Sequence, residues 1–355
     1  MTLEDLGYRS EYKKVILDKG WDSFELGRIS QEHKERYNII SANNEFEAEI
    51  TGNLRFSAAD RSDFPAVGDW VVFSKFDEDS ALIHNILPRK TVLERQAVGK
   101  FGEKQIIATN IDKAFIIQGL DRDFNINRIE RYLTIVNNAG VDPIIILSKT
   151  DLISDDELKF KVESLKSRIK NTSVIAISNL SKTGIESIRQ ILTKGLTFCC
   201  LGSSGVGKST LVNTLAGESL FKTNDLSIST NKGKHTTSHR ELIVLENGGI
   251  LVDTPGMREI GIAEASEGLE ISFSSIISLA KLCAFSDCTH MHEENCAVKT
   301  AVDRGEIDQE LLDNYFKIQR ENQRFITSIS EKRKKDKEFG KMHKNVIKFK
   351  KDNKY

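Results

Sequence analysis

A glycine-rich segment between two apolar runs constrains the fold of this chain more than any other feature. Residues 202–210 read Gly-Ser-Ser-Gly-Val-Gly-Lys-Ser-Thr, after the apolar run 197–201 and before the apolar run 211–215. This is the order strand, glycine-rich loop, helix, with the pattern G-x-x-x-x-G-K-[ST]. Glycines let the backbone turn its N–H groups inward, and the start of the helix adds its positive end. The segment therefore predicts a phosphate-binding loop.

The residue types in this loop predict separate roles around a bound nucleotide. We expect Lys208 to reach the β- and γ-phosphates, where it offsets developing charge as a candidate catalytic residue, and Ser209 to ligate Mg²⁺. The residues assigned to nucleotide binding here are Gly202, Ser203, Ser204, Gly205, Val206, Gly207, Lys208, Ser209 and Thr210.

Two later segments predict contacts to Mg²⁺ and the γ-phosphate. Asp253 begins the sequence Asp-Thr-Pro-Gly after an apolar strand, so we expect its carboxylate to hold Mg²⁺ through water and the Gly256 N–H to meet the γ-phosphate. In the preceding polar stretch, Gly-Lys-His-Thr-Thr fits a switch segment in which either Thr236 or Thr237 reaches the same groups. His235 in that segment is either the residue that positions the attacking water or a loop histidine without a catalytic part.

A third group of residues predicts recognition of guanine. Ser148-Lys149-Thr150-Asp151 ends an apolar strand and resembles [NT]-K-x-D, in which the Asp carboxylate accepts from the N1–H and 2-amino groups of guanine. Ser148 replaces the usual Asn, which puts in question one bond to the base and one to the phosphate-binding loop. Ser178 follows another strand, in the place of an S-A-K element whose backbone meets the guanine oxygen, with Asn179 in place of Ala.

The order of these motifs indicates a circular permutation. A usual small GTPase places its phosphate motifs before its base-reading motifs, whereas this chain has them in the reverse order. Since every motif ends a strand, the same site can assemble from the permuted chain. Apolar strand candidates alternate with helical patterns and predict a doubly wound parallel α/β sheet. The candidates are 113–118, 143–147, 174–177, 197–201, 241–245 and 249–252.

The segment before this sheet predicts a small barrel. Residues 1–20 form one short amphipathic helical pattern, and short alternating runs then continue to residue 95, separated by Gly, Asn and Asp turns. About five such strands suit a small barrel, with an OB-fold as the leading candidate. Whether this barrel binds RNA or is purely structural stays open.

Three cysteines and nearby histidines predict a metal site after the sheet. Cys283, Cys288, His290 and Cys296 make a closed Cys₃His set, which suits structural zinc. The spacing is not that of a common zinc finger and leaves a choice between His290 and His292. Reduced cysteines in a helical core are the alternative.

Charge is distributed unevenly along the 355 residues. Residues 331–355 carry a net charge of +7, which leaves −8 on the rest for a total of −1. An acidic body with a basic tail predicts contact with a polyanion, and a solubilising tail is the alternative. No apolar run approaches the ~18 residues of a membrane span, and the N-terminus lacks a signal-peptide pattern. We therefore expect a cytoplasmic protein without membrane contact.

The permuted motif order, Gly-Lys-His-Thr-Thr, Asp-Thr-Pro-Gly and C-x4-C-x-H-x5-C together resemble the RsgA-type circularly permuted GTPases, or small ribosomal subunit-dependent GTPases. The likeness covers nearly the whole chain, from residues 3–7 onward. It implies a multi-domain fold: an N-terminal β-barrel (OB-fold), a central circularly permuted P-loop α/β GTPase domain and a C-terminal helical zinc-binding domain. The corresponding boundaries are 1–22 for an N-terminal helical segment, 23–98 for the barrel, 99–265 for the GTPase domain, 266–330 for the zinc domain and 331–355 for the basic tail.

The resemblance also implies an activity. We expect hydrolysis of GTP to GDP and phosphate, Mg²⁺ with the GTP, one structural Zn²⁺, and action late in maturation of the 30S subunit, which stimulates the hydrolysis. The barrel and the zinc domain of a monomer would bind 16S rRNA. Met257 stands after Gly256 where many GTPases have a water-orienting Gln, so we expect slow hydrolysis by the isolated protein. The alternatives are a P-loop ATPase and a nucleotide-gated RNA-binding module with incidental turnover.

Overall fold

The structure, a computed structural model, describes residues 1–33, 36–42, 44–97, 103–217, 241–253 and 261–352, without the side chains of 253, 332, 333 and 335–352.

The expected helix over 1–20 is divided in two. A 3₁₀ turn at Glu4–Leu6 precedes helix α1 at Glu11–Lys19. Gly20 ends α1 with φ +67°, a left-handed conformation that favours glycine.

A five-stranded barrel follows, as the turn-separated alternating runs predicted. Strands β1, β2 and β3 form an antiparallel meander, β3 pairs with β5 in parallel, and β4 closes the barrel between β5 and β1. Alternate residues point inward, so that Ile39, Phe46 and Phe73 share one buried core. The elements are β1 (Glu25–His33), β2 (Arg36–Ile40), β3 (Glu45–Ile50), α2 (Gly52–Ser57), β4 (Trp70–Lys75) and β5 (Ser80–Ile86).

A two-stranded antiparallel ribbon connects the barrel to the next sheet. It consists of β6 (Val92–Gln96) and β7 (Lys104–Thr109). The sequence analysis did not predict this ribbon as a unit, because a pair of short strands has no motif of its own.

The central strands have the order β10, β9, β8, β11, β13, β12, and β12 continues the sheet into the barrel by pairing antiparallel with β1, with Glu241 opposite Gln31. Among the six central strands all neighbours are parallel except β12 and β13, so the expectation of a wholly parallel sheet is wrong at this position. The short connection over residues 245–249 turns the chain back directly, whereas a parallel pair needs a crossover of a dozen residues or more. The strands are β8 (Lys113–Gly119), β9 (Asp142–Ser148), β10 (Ser173–Ala176), β11 (Thr197–Leu201), β12 (Glu241–Val244) and β13 (Ile250–Asp253).

Helices cover both faces of this sheet. Ile129 of α3 and Leu165 of α4 belong to one buried cluster, and Ile188 of α5 and Leu211 of α6 belong to the cluster on the other face. The doubly wound arrangement is therefore confirmed. The helices are α3 (Ile126–Asn138), α4 (Asp155–Arg168), α5 (Ile185–Ile191) and α6 (Lys208–Ala216).

The C-terminal region is helical and packs against α3. Arg131 of α3 makes a bidentate ion pair with Glu321, at 2.9 and 2.7 Å, and a Cβ on Gly268 would lie 2.0 Å from the Thr134 carbonyl oxygen. This close approach is possible because residue 268 is a glycine. The helices are α7 (Ser266–Ser272), α8 (Ser274–Ala280), α9 (Ala297–Asp303) and α10 (Gln309–Asp352), and α10 runs on through most of the basic tail.

A buried arginine joins the barrel to the central sheet. Arg28 of β1 is 1% exposed and donates to the Leu6 carbonyl at 2.7 Å and to the Thr197 hydroxyl at 2.8 Å. Burial lowers its pKa to about 10. Because Thr197 begins β11, this arginine connects the barrel to the strand that leads into the phosphate-binding loop.

In the described part of the chain, none of the helices is both long enough and apolar enough to cross a bilayer.

Candidate functional site

The phosphate-binding loop lies between β11 and α6, as predicted. Gly205 and Gly207 have φ values of +81° and +94°, which side chains other than glycine rarely allow. A Cβ on Gly202 would lie 2.3 Å from the Ile117 carbonyl oxygen. The glycine spacing therefore serves both the turn of the loop and its close packing on β8.

Lys208 begins α6 and turns back over this loop. Its ammonium group donates to the carbonyl oxygens of Gly202 and Ser203, both at 2.7 Å. The side chain of Ser203 also shares a hydrogen bond with Tyr132 of α3, and burial raises the pKa of this tyrosine. The bond links the loop to the helix that carries the C-terminal region, a connection that no sequence motif indicated.

Ser148 contacts the phosphate-binding loop directly. Its hydroxyl group is fully buried and donates to the Val206 carbonyl oxygen at 2.6 Å. Although Ser148 stands where Asn is usual, it still makes a bond to the phosphate-binding loop. The structure thus brings the 148–151 segment against the phosphate-binding loop, although the two are more than 50 residues apart in the sequence.

Asp151 is exposed at the same edge of the sheet. The Ser178 hydroxyl donates to one of its carboxylate oxygens at 2.5 Å and accepts from the backbone N–H groups of Leu180 and Ser181. The Thr150 N–H donates to the Ile177 carbonyl at 3.2 Å, which joins the two base-reading loops through the backbone. Ser178 therefore orients the carboxylate of Asp151.

Lys149 is paired with a residue that the sequence analysis did not identify. Its ammonium group lies 2.5 Å from a carboxylate oxygen of Asp121, which follows β8. Burial alone would raise the pKa of Asp121, but hydrogen bonds from Lys149 and from the Asp123 N–H outweigh it and lower the pKa. Its position in the sequence could have identified Asp121, because it follows a predicted strand that ends at the same edge of the sheet as the strands before the motifs.

Several predicted residues lie outside the described part of the chain. They are His235, Thr236, Thr237 and Gly256, together with the side chain of Asp253. The backbone of Asp253 ends β13, which runs parallel to β11 with Val252 opposite Cys199. Asp253 therefore belongs to the strand next to the one that leads into the phosphate-binding loop.

The predicted metal ligands come together in the C-terminal region. The ligand atoms of Cys283, Cys288, His290 and Cys296 all lie within 4.8 Å of one another. His290, rather than His292, completes the set, and it takes a left-handed conformation with φ +61°. This group could hold a metal ion.

Three distances test how well a tetrahedral ion would fit. Cys283 Sγ lies 3.5 Å from His290 Nδ1 and 3.8 Å from Cys296 Sγ, and His290 Nδ1 lies 3.4 Å from Cys296 Sγ. Zinc bonds of about 2.3 Å to sulfur and about 2.0 Å to nitrogen give tetrahedral edges of about 3.8 Å for S–S and about 3.5 Å for S–N. Cys283, His290 and Cys296 therefore fit a tetrahedral ion, and the ligand atom of Cys288 lies within 4.8 Å of each of them.

Glu293 organises the loop that carries His290. Its carboxylate accepts from the hydroxyl and N–H groups of Thr289 and from the N–H groups of Met291 and His292. The hydrogen bonds from Thr289 lower the pKa of Glu293. This residue was not predicted, because a single acidic residue between histidines carries no distinctive spacing.

The glycine-rich loop after β11 meets the loops after β9 and β10 at one edge of a doubly wound sheet, in reversed chain order, and this arrangement defines a circularly permuted P-loop GTPase. Residues 86–263 match the family model described as RsgA GTPase, and residues 197–339 match a model described as 50S ribosome-binding GTPase. The chain belongs to the RsgA GTPase family and is a GTP hydrolase.

Relatives and solved structures agree with this membership. The chain is 39% identical to Small ribosomal subunit biogenesis GTPase RsgA 1 of Bacteroides thetaiotaomicron, over 91% of this chain and 90% of that protein. It is 43% identical to Small ribosomal subunit biogenesis GTPase RsgA 2 of Lactiplantibacillus plantarum, over 83% of each. The crystal structure of YjeQ from Thermotoga maritima aligns with a TM-score of 0.63 at 26% identity, covering 84% of this chain and 98% of that one. YloQ, a circularly permuted GTPase, aligns with a TM-score of 0.59 at 25% identity, covering 87% and 96%.

Proposed function

We propose that this protein binds the small ribosomal subunit during its maturation and hydrolyses GTP there, with the subunit stimulating the reaction. The observation that carries the nucleotide part is the 2.6 Å bond from Ser148 to Val206, which brings the base-reading and phosphate motifs into one site. The relatives are named for biogenesis of the small subunit, and this chain covers about nine-tenths of the first of them. The matched description that names the 50S subunit covers residues 197–339, which hold the phosphate motifs but neither the barrel nor the base-reading loops.

Guanine would be held by the 148–151 and 177–179 loops. Asp151, oriented by Ser178, accepts from the N1–H and 2-amino groups, and the stem of Lys149 covers the ring. Thr150 lies between them, with its N–H donating to the Ile177 carbonyl. This arrangement supports selection of GTP over ATP, because adenine lacks both donors.

The triphosphate would lie on the loop at 202–210, with Lys208 moving from its present carbonyl partners to the β- and γ-phosphates. Ser209, Asp253 and one of Thr236 and Thr237 are proposed to hold Mg²⁺, which when bound neutralises charge on the phosphate oxygens. The Gly256 N–H would meet the γ-phosphate. His235 would orient the water that attacks the γ-phosphorus, with GDP leaving from the opposite side and inorganic phosphate as the second product.

We propose that the Cys₃His cluster holds one structural zinc ion. Four protein ligands leave no open position for a catalytic water, so the ion would stabilise the fold around α8 and α9. The cluster belongs to the region assigned as the zinc domain, 266–330. We retain the sequence-based boundaries of all five segments as part of this proposal.

Binding to the subunit is proposed to use the barrel, the zinc domain and the basic tail on 16S rRNA. The net charge of +7 over residues 331–355 supports contacts to phosphates, and α10 continues through this tail to Asp352. We further propose that the protein acts as a cytoplasmic monomer.

The decisive experiment measures GTP hydrolysis by the purified protein with and without 30S subunits. We expect slow turnover alone and at least about tenfold stimulation by 30S subunits, with no stimulation by 50S subunits. Competition by ATP and GTP against a labelled GDP tests the base. Equal competition by the two nucleotides would contradict guanine selection, and an unchanged rate with 30S subunits would contradict the proposed partner.

A further inference from the structure

The residue after Ser178 makes a second side-chain bond to the phosphate-binding loop. Asn179 Nδ2 donates to the Gly207 carbonyl oxygen at 3.1 Å, and Ser148 donates to the adjacent carbonyl of Val206. Two consecutive carbonyls of the loop are therefore held by side chains from two different base-reading loops.

The orientation of the Asn179 amide follows from its partner. A carbonyl oxygen only accepts hydrogen bonds, so the nitrogen of the amide must face Gly207. The amide oxygen is buried and has no partner among the described residues, an arrangement that costs free energy. The bond to Gly207 is the contact that keeps the amide in this orientation.

Gly207 is what allows the amide to come so close. A Cβ at this position would lie 2.8 Å from Asn179 Nδ2, and the φ of +94° already favours glycine. The same glycine therefore serves the turn of the loop and the approach of Asn179.

The chemistry of Ser148 explains why a second donor is present. A hydroxyl group has one hydrogen, and that of Ser148 is directed to Val206 at 2.6 Å, whereas the amide of an Asn would have two. Ser148 therefore makes the bond to Val206 but has no second hydrogen to offer. Asn179, on the neighbouring loop, supplies the additional N–H donor to the phosphate-binding loop.

We propose that Asn179 is a positioning residue that ties guanine recognition to the phosphate-binding loop and thereby slows release of GDP. The connection runs from the carboxylate of Asp151 through the Ser178 hydroxyl and the adjoining Asn179 to Gly207. With this connection intact, the loops that hold the base and the phosphates stay in one relative position. The inference rests on the proposed nucleotide site.

The test measures the release of a fluorescent GDP analogue, chased with excess GDP, from the full-length protein. Asn179→Ala, which removes the donor, should speed release about fivefold, the effect of one lost neutral hydrogen bond. Asn179→Asp should speed it at least as much, because it sets a carboxylate oxygen against the Gly207 carbonyl. Leu180→Ala, in the same loop with 82% of its side chain exposed, is the matched control and should release GDP at the original rate.

Two further measurements separate positioning from other roles. The preference for GDP over inosine diphosphate should be unchanged in Asn179→Ala, because Asp151 still reads the 2-amino group. The acceleration should also persist with 7-deaza-GDP, which lacks the N7 acceptor. Loss of the acceleration with 7-deaza-GDP would mean that Asn179 bonds the base itself, and would overturn the positioning role.

Other results would also overturn the inference. Unchanged release in both variants would show that the bond to Gly207 does not hold the nucleotide. If Asn179→Ala lowers the unfolding temperature of the nucleotide-free protein enough to explain its weaker GDP binding, then Asn179 stabilises the fold and does not position the nucleotide. If the unsubstituted protein failed to bind GDP, the proposed function would fail instead, which is a distinguishable outcome.

Discussion

Lys149 and Asp121 form an ion pair in which the ammonium nitrogen lies 2.5 Å from a carboxylate oxygen. Lys149 takes a left-handed backbone conformation with φ +64°, and its side chain is about one-fifth exposed. The pair fixes the direction of the lysine stem across the place proposed for the guanine ring. We propose that Asp121 thereby prepares the base site, although it does not belong to a base-reading motif.

Asp121→Asn should weaken GDP and GTP binding about fivefold, because the lysine stem loses the charge that orients it before the base arrives. Equilibrium titration with fluorescent nucleotides measures the change. Asp123→Asn is the matched control, since the side chain of Asp123 pairs with Arg128 in a more exposed contact of 3.4 Å. Equal effects of the two substitutions would contradict an orienting role for Asp121.

Asp151→Asn should weaken GTP binding by at least about tenfold and favour xanthosine triphosphate. The carboxylate accepts from two guanine donors, whereas an amide can donate to the 2-oxo group of xanthine. Competition between the two nucleotides for each protein measures the switch. An unchanged order of affinities in the variant would exclude Asp151 from base reading.

Metal content should depend on His290 and not on His292. Purified protein should hold one zinc ion per chain, and His290→Ala should lose it, because three thiolates leave one tetrahedral position open. His292→Ala is the control and should retain zinc, since the structure places His292 outside the ligand set. Elemental analysis of both variants decides the assignment.

Removal of the ion should destabilise the C-terminal helices. In His290→Ala, or after zinc is removed by chelation and Mg²⁺ is restored, we expect thermal unfolding of this region to begin several degrees lower, while GTP affinity changes less than about twofold. Circular dichroism and nucleotide titration in excess Mg²⁺ measure the two effects. A complete loss of GTP binding under these conditions would contradict a purely structural role for the zinc ion.

A buried ion pair joins the central sheet to α10. Glu130 of α3 and Arg168 of α4 are 1% and 9% exposed, and Asn314 of α10 donates to the same carboxylate at 2.6 Å. Burial raises the pKa of Glu130 to about 7, although Arg168 and Asn314 oppose the change. Because the folded-state pKa lies above that of the unfolded chain, this group's contribution to stability is present at low pH and is lost as the pH rises through about 7.

Arg168→Ala should lower the free energy of unfolding by about 3–5 kcal/mol at pH 8, because it leaves a buried carboxylate without its ionic partner. The loss should be smaller at pH 5, where Glu130 can take up a proton. Denaturant unfolding at both pH values tests the sign. Glu130→Gln with Arg168→Ala is the control: its own stability should vary less between pH 5 and pH 8 than that of Arg168→Ala, because no carboxyl group titrates at position 130.

His235→Ala should reduce 30S-stimulated hydrolysis about 100-fold while sparing GTP affinity and binding to the subunit. The expectation follows from Met257, whose thioether cannot orient water as a Gln does, so another group must do so, and His235 of the predicted switch segment is our candidate. Single-turnover hydrolysis with saturating subunits measures the chemical step. A stimulated rate equal to that of the unsubstituted protein would assign His235 to an ordinary loop position.

The phosphate-binding loop, the barrel strands and the metal-ligand types were predictable from sequence because each depends on local chemistry. The glycines at 202, 205 and 207 permit backbone angles and close contacts that other residues oppose, wherever the loop lies in the fold. Alternating apolar residues likewise specify a half-buried strand such as β3 without reference to its neighbours. Resemblance to a family then assembled these local predictions into one architecture.

Other features were decided only by the tertiary structure, because they depend on which atoms the folded chain brings close together in space. The pairing of β12 with β1 of the barrel places Glu241 opposite Gln31, and the choice of His290 follows from where Cys283 and Cys296 lie. The bonds from Ser148 to Val206 and from Lys149 to Asp121 span 58 and 28 residues. A hydrogen bond or ion pair requires specific atoms within about 3 Å, and only the packed strands and loops bring such atoms together.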